Sequence, residues 1–290
     1  MNRLTQHKLF GVIGISIVLF TTGCDESFQP WQENDRYHFS IYGMLDASVD
    51  TQWVRIMPVR EELFLEPRPI DVTVTLEHIE SGDSIAMNDS LFRYYPELYA
   101  WNFWTTMDLE PEQTYRLTAK HGDGRTSSAQ VKLPSDFPTP IVRMRQIVDD
   151  SEFYNIVYIS KSIDLLADVQ VIYFGLDEPT GIVHSRGFGH LKDTVRTSHD
   201  YHTVYIDPRE DGLNIDPIIK EVVFVANAGP DFHDFGSMDE KILTVPEGVS
   251  NIENGVGYLA GIVSKTVPYR SCFADDGFTY IPCPLVPDPW

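Results

Sequence analysis

The segment PIDVTVTLEHI, residues 69–79, places Val72, Val74 and Leu76 at one parity and Thr73, Thr75 and Glu77 at the other. Successive side chains of a strand point to opposite faces, so this pattern predicts a half-buried β-strand and argues against a helix, whose apolar period is 3.6 residues. The same reading extends along the chain. YHFSIYGML (37–45) and TQWVRIMPV (51–59) are β-rich runs joined by LDASVD, and Tyr115, Leu117 and Ala119 share one face of a strand that ends in a Gly-Asp-Gly turn at 122–124. Strand-like runs return beyond SDFPTP (135–140) in EFYNIVYIS, ADVQVIYFG, YHTVYID and IIKEVVFVANA. A content of 14 Tyr, 16 Phe and 5 Trp fits that preference. One short helix is predicted at SMDEKILTV (237–245), where Ser237 and Glu240 form a capping-box pattern. The expected architecture is all-β. An immunoglobulin-like or prealbumin-like sandwich covers 37–134, the two prolines of 135–140 mark a boundary, and a second β-rich domain covers 141–290.

Charge narrows the partners. The chain carries 43 acidic and 22 basic side chains, a formal net charge of -21. Nucleic-acid binding needs a basic footprint, and electrostatic docking on an anionic bilayer needs the same sign, so neither is expected.

The N-terminus reads as a processing segment. Arg3, His7 and Lys8 precede the apolar run GVIGISIVLF (11–20), too short for a membrane span and suited to a signal peptide over 1–23. Gly23 directly before Cys24 resembles the bacterial lipoprotein processing site, although Thr21 stands where Leu is usual. That resemblance implies cleavage before Cys24, lipidation of its thiol with palmitate-type acyl chains, and a lipidated tether over 24–36. More than one chain is needed for firm anchoring. Ordinary secretory cleavage is the alternative. Asp25 and Glu26 give the mature chain an acidic start, which resembles a surface-export signal in one bacterial phylum and an inner-membrane retention signal in enteric bacteria.

Cys272 and Cys283 lie 11 positions apart in SCFADDGFTYIPCPLVPDPW. Outside the cytoplasm such a pair is expected to form a disulfide that staples an irregular tail to the last strand. Two reduced cysteines are the alternative.

Catalytic patterns are sparse. HGDG (121–124) lacks the strand–turn–helix setting of a phosphate or oxyanion loop and reads as a hairpin turn, and GVGYLAG (255–261) reads as tight backbone turns. His184, His190, His199, His202 and His233 fall loosely in the second half. Asp231, His233 and Asp234 contain metal-ligating types without a standard spacing, and DPREDGLNID (207–216) departs from the EF-hand pattern. No metal, cofactor or catalytic set is assigned. The aromatic stretch FRYYPELYAWNFWTT (92–106) is denser than one buried face requires, and Tyr94, Tyr99, Trp101 and Trp104 are the candidate partner or glycan surface. A sandwich core partly covered by the second domain is the competing reading.

The order of lipoprotein signal, IYGMLD, PIDVTVTLEH, LEPEQTYRLTAKHGDGRTSSAQVKLP and NIENGVGYLAG resembles a widespread Bacteroidetes family of uncharacterised two-domain lipoproteins, a domain of unknown function. The resemblance spans about residues 24–270. Glu112-Gln113 departs from the family's usual Gly-Lys before Thr114-Tyr115, and Glu253-Asn254 stands where Gly-Gly is common. What the resemblance implies is a lipid-anchored, surface-exposed outer-membrane protein, with a periplasm-facing placement as alternative. It further implies a place beside a TonB-dependent transporter or other envelope protein, and it supplies no catalytic positions. The function expected is therefore a non-enzymatic accessory or binding subunit of an uptake or other envelope complex. A structural, adhesive or glycan-binding lipoprotein is the alternative. A metal-dependent hydrolase built on His202 or His233 is a more distant one.

Overall fold

The computed structural model describes residues 37–59, 69–95, 98–147, 152–163, 165–177, 182–189, 195–197, 200–206, 218–233 and 250–268. In chain order these hold β1 (Phe39–Asp46), β2 (Gln52–Pro58), β3 (Val72–His78), β4 (Ser84–Ala86), β5 (Asn88–Tyr95), β6 (Leu98–Thr105), β7 (Thr114–His121) and β8 (Thr126–Lys132). They continue with β9 (Ile141–Ile147), β10 (Glu152–Ser160), β11 (Leu166–Asp177), β12 (Ile182–Gly189), β13 (Val195–Thr197), β14 (Tyr201–Ile206), β15 (Ile218–Ala228) and β16 (Gly255–Pro268). The fold is all-β, as the alternation predicts.

Three sheets form. The largest has the order β12-β11-β15-β16-β1-β2-β6-β5, and the smaller two are β4-β3-β7-β8 and β13-β14-β10-β9. Among the described residues the pairings are antiparallel except one: β1 lies parallel to β16, from Phe39 opposite Gly255 to Asp46 opposite Ile262. A parallel pair needs a crossover rather than a hairpin. Here the crossover is nearly the whole chain.

Two apolar cores follow from this layout. One joins β1, β2 and β6 to β3, β7 and β8 through Ile41, Ile56, Trp101, Phe103, Leu76 and Leu117. The other joins β11 and β15 to β10 and β14 through Val171, Tyr173, Val225, Val157 and Ile206. Each is two sheets meeting by their apolar faces, a generic β-sandwich. The 135–140 stretch separates the chain segments that supply most of the two cores, but it does not divide the large sheet. β16 runs through both, giving Leu259 to the first core and Val263 and Val267 to the second.

Local details match the residues that cause them. Tyr115, Leu117 and Ala119 are all buried, and the Tyr115 hydroxyl accepts a hydrogen bond from the Glu110 backbone N–H at 2.8 Å. The HGDG stretch is the β7–β8 turn, with Gly124 at φ 95°. Asp123 there accepts from the Arg125 backbone N–H, which is the main reason its carboxyl is lowered to about 2. The loop after β15 is clamped by Tyr258, whose hydroxyl donates to the Asp231 carbonyl at 3.1 Å and accepts from the His233 N–H. Burial pushes that phenol up to about 12.

Several expectations fall elsewhere. The signal segment, Cys24 and the tether, the 207–216 loop and the predicted helix at 237–245 lie outside the described residues. The Cys272–Cys283 disulfide is corrected: among the described residues no cysteine pair stands at the separation an S–S bond requires. The 11-residue spacing permits a bridge but does nothing to bring the two Cα atoms together, and both positions lie outside the described residues.

Candidate functional site

β1 and β2 each send one parity into the core and the other outward. On β1 the outward residues include Tyr42 and Met44, exposed by 52% and 50%. On β2 they include Trp53 and Arg55, out of phase with the fully buried Val54 and Ile56. Trp53 stands opposite Trp104 of β6, and their ring centroids are 6.0 Å apart with planes tilted by 34°. Trp53 also reaches Phe92 of β5, at 5.4 Å and 39°. Ala100 and Asn102 share that face between Trp104 and Phe92, and both are buried although the face is open. In a chain of net charge -21 the exposed outward positions of β1, β2, β5 and β6 with described side chains hold a cation, Arg55, and no carboxylate, while Asp46, of the same parity on β1, is buried.

Of the aromatic residues expected to form a surface, Trp104 is on this face. Trp101 is 2% exposed and belongs to the core, so it is no part of a platform. Tyr99 is half-buried and packs against that core. The side chain of Tyr94 lies outside the described residues. Sequence reasoning missed Trp53, Phe92, Tyr42 and Met44. The period-two pattern of TQWVRIMPV contained the signal for Trp53, because Val54 and Ile56 fix the inward parity.

A second feature is a cleft with about 460 Å³ of space between the β1–β2 turn and β16. Two of its lining residues, Ser48 and Ser264, are tied together by Asp46, buried at the end of β1. One carboxylate oxygen accepts from the backbone N–H of Ser48 at 2.8 Å and of Ser264 at 3.2 Å, and the other accepts from the Ser264 hydroxyl at 2.6 Å. Gln52, fully buried, closes the turn: its carbonyl accepts from the Asp46 N–H, and its amide donates to the carbonyls of Asp46 and Val49. At the mouth the Lys265 ammonium pairs with Asp136 at 2.7 Å and lies 5.8 Å from the centre of the Phe137 ring. The hydrogen bond from Lys265 holds the Asp136 carboxyl below its ordinary range.

Asp46→Ala is expected to cost about 2–3 kcal/mol, because it strands the Ser264 hydroxyl and the Ser48 N–H and leaves the Ser264 N–H only its bond to the Ser48 hydroxyl. Urea unfolding would read this. A loss under about 0.5 kcal/mol would mean that water replaces the carboxylate without penalty.

Among the described residues the histidines do not gather into a metal-ligating group. His184 is exposed on β12 and His202 half-buried on β14, in different sheets. Burial lowers the pKa of His202. Asp231 accepts from the Lys132 N–H, and His190, His199 and Asp234 lie outside the described residues. Among the described residues no group of three or more His, Cys, Asp or Glu side chains could hold a metal ion, and no helix is long and apolar enough to cross a membrane. No protein-family model matches the chain, and no curated protein matches it significantly in sequence.

Proposed function

We propose that this protein is a non-enzymatic lipoprotein of the outer membrane that acts as an accessory or binding subunit, docking a protein partner on the open face of β1, β2, β5 and β6. The observation that carries the reading is the composition of that face. Protein interfaces are enriched in Tyr, Trp, Phe, Met and Arg and depleted of Asp, Glu and Lys. Tyr42, Met44, Trp53, Arg55, Phe92 and Trp104 follow this pattern on an otherwise acidic chain. The Gly23–Cys24 pair, which resembles a lipoprotein processing site, supports the anchor, and an order of segments that resembles the Bacteroidetes lipoproteins supports a TonB-dependent transporter as the partner. The hydrogen bond from Glu110 to the Tyr115 hydroxyl resembles a tyrosine corner, which supports an immunoglobulin-like kinship for residues 37–134.

Glycan binding would use the same rings. Their tilts of 34° and 39° make a faceted ridge instead of one plane for a sugar face, which favours the protein partner.

The test is affinity purification of the tagged protein from native membranes in mild detergent, read by mass spectrometry. The wild type is expected to bring down a transporter in stoichiometric amount. The Trp53→Ser, Phe92→Ser double variant is expected to lose at least tenfold of it, as removal of a central aromatic anchor does. Both substituted side chains are exposed, so the variant keeps its melting temperature within a few degrees. Recovery of the wild type alone from membranes that retain intact complexes would overturn the stable-subunit reading.

A further inference from the structure

The cleft beside β16 is separate from the aromatic face and has its own chemistry. Its walls are part apolar, from Val49 and Pro111, and part polar, from Ser48, Thr266, Asp136 and Lys265. A space of about 460 Å³ falls within the range of small-ligand sites. Part of the lining is fixed before any ligand arrives, since Asp46 ties the Ser48 turn to Ser264 and the Ser48 hydroxyl accepts from the Ser264 N–H at 3.1 Å. Such pinning keeps a site from spending binding energy on its own ordering.

The mouth carries both signs. Lys265 has three N–H donors and Asp136 Oδ1 takes one of them, while the Asp136 side chain is 57% exposed. The Ser48 and Thr266 hydroxyls line the same cleft and add donors, and Asp136 adds acceptors. A free anion would suit the donors but would meet a protein of net charge -21. A free cation would suit Asp136 and meet Lys265. A molecule bearing one carboxylate and one ammonium satisfies both ends and carries no net charge.

We propose that this cleft binds a small zwitterion, a free α-amino acid or a dipeptide. Its carboxylate sits at Lys265 with the Ser48 and Thr266 hydroxyls, its ammonium sits at Asp136, and its side chain lies against Val49 and Pro111. The pair at the mouth opens to admit it, exchanging one surface ion pair for two.

Isothermal titration of the full-length protein in detergent tests this with three probes: leucine, the dipeptide Ala-Leu, and Ala-Leu acetylated at one end and amidated at the other. Saturable binding of leucine or Ala-Leu is expected, with the blocked peptide at least tenfold weaker. Which of the two free probes binds tighter sizes the ligand. Lys265→Met and Asp136→Asn should each weaken binding at least tenfold and leave the melting temperature within a few degrees. Three results would overturn the assignment: no saturable heat with either free probe, equal binding of the blocked peptide, or binding that neither variant weakens. None depends on whether a transporter copurifies.

Discussion

Gly257→Ala is expected to cost about 3–5 kcal/mol, enough to remove most of the margin by which a domain of this size is stable. Gly257 has φ +118°, a conformation that L side chains rarely adopt, and it pairs with Ile41 across the parallel β1–β16 contact. A Cβ there would stand 2.0 Å from the Ile41 carbonyl oxygen and 2.9 Å from its carbon. Those are backbone atoms, so no rotamer change relieves the clash. β1 cannot retreat, because its other edge is bonded to β2 with Ile41 opposite Ile56, and both side chains are fully buried. Gly189 is the control. Nothing lies within 4 Å of its Cβ position, so Gly189→Ala should stay within about 0.5 kcal/mol. Urea midpoints compare the two, and a Gly257→Ala protein unfolding with the wild type would show that β1 and β16 are not held as described.

Trp101→Ala should cost about 3–5 kcal/mol, the range for truncating a large aromatic in a core. Trp101 is 2% exposed and packs with Ile41, Ile56, Leu76 and Leu117 in the first core. Three residues on, Trp104 is an outward residue of the same strand, and its cross-strand partner Trp53 is 41% exposed. Trp53→Ala is expected to move stability by less than about 1 kcal/mol and to act on partner binding instead. The contrast between the two tryptophans is the useful readout. If Trp101→Ala were as mild as Trp53→Ala, the assignment of faces on β6 would be inverted.

That pair also shows what the sequence could carry. Alternation identified Val74, Leu76, Tyr115, Leu117 and Ala119 as core positions, because each strand is buried on one face and a period of two is visible locally. It marked HGDG as a turn for the same reason, since glycine supplies the conformation that closes it. In FRYYPELYAWNFWTT both parities are aromatic, so composition could not say which ring faces in. The answer lies in the partner strand, where Trp53 and Val54 set the parity. The continuity of the large sheet was not legible at all. It depends on β1 meeting β16, and nothing in the local pattern of either strand names the other. The cleft inherits that limit, because Asp46 and Ser264 stand 218 residues apart.

That separation sets a schedule for the living cell. Synthesis at 5–20 residues per second leaves β1 without its parallel neighbour for roughly 10–40 seconds after it emerges. During that time Ile41, Leu45 and an unbonded strand edge have no final place, and such edges invite pairing with other chains. A chain built this way completes its largest sheet late, and its first strand needs shielding until then, because its opening words make sense only once its closing ones have been spoken.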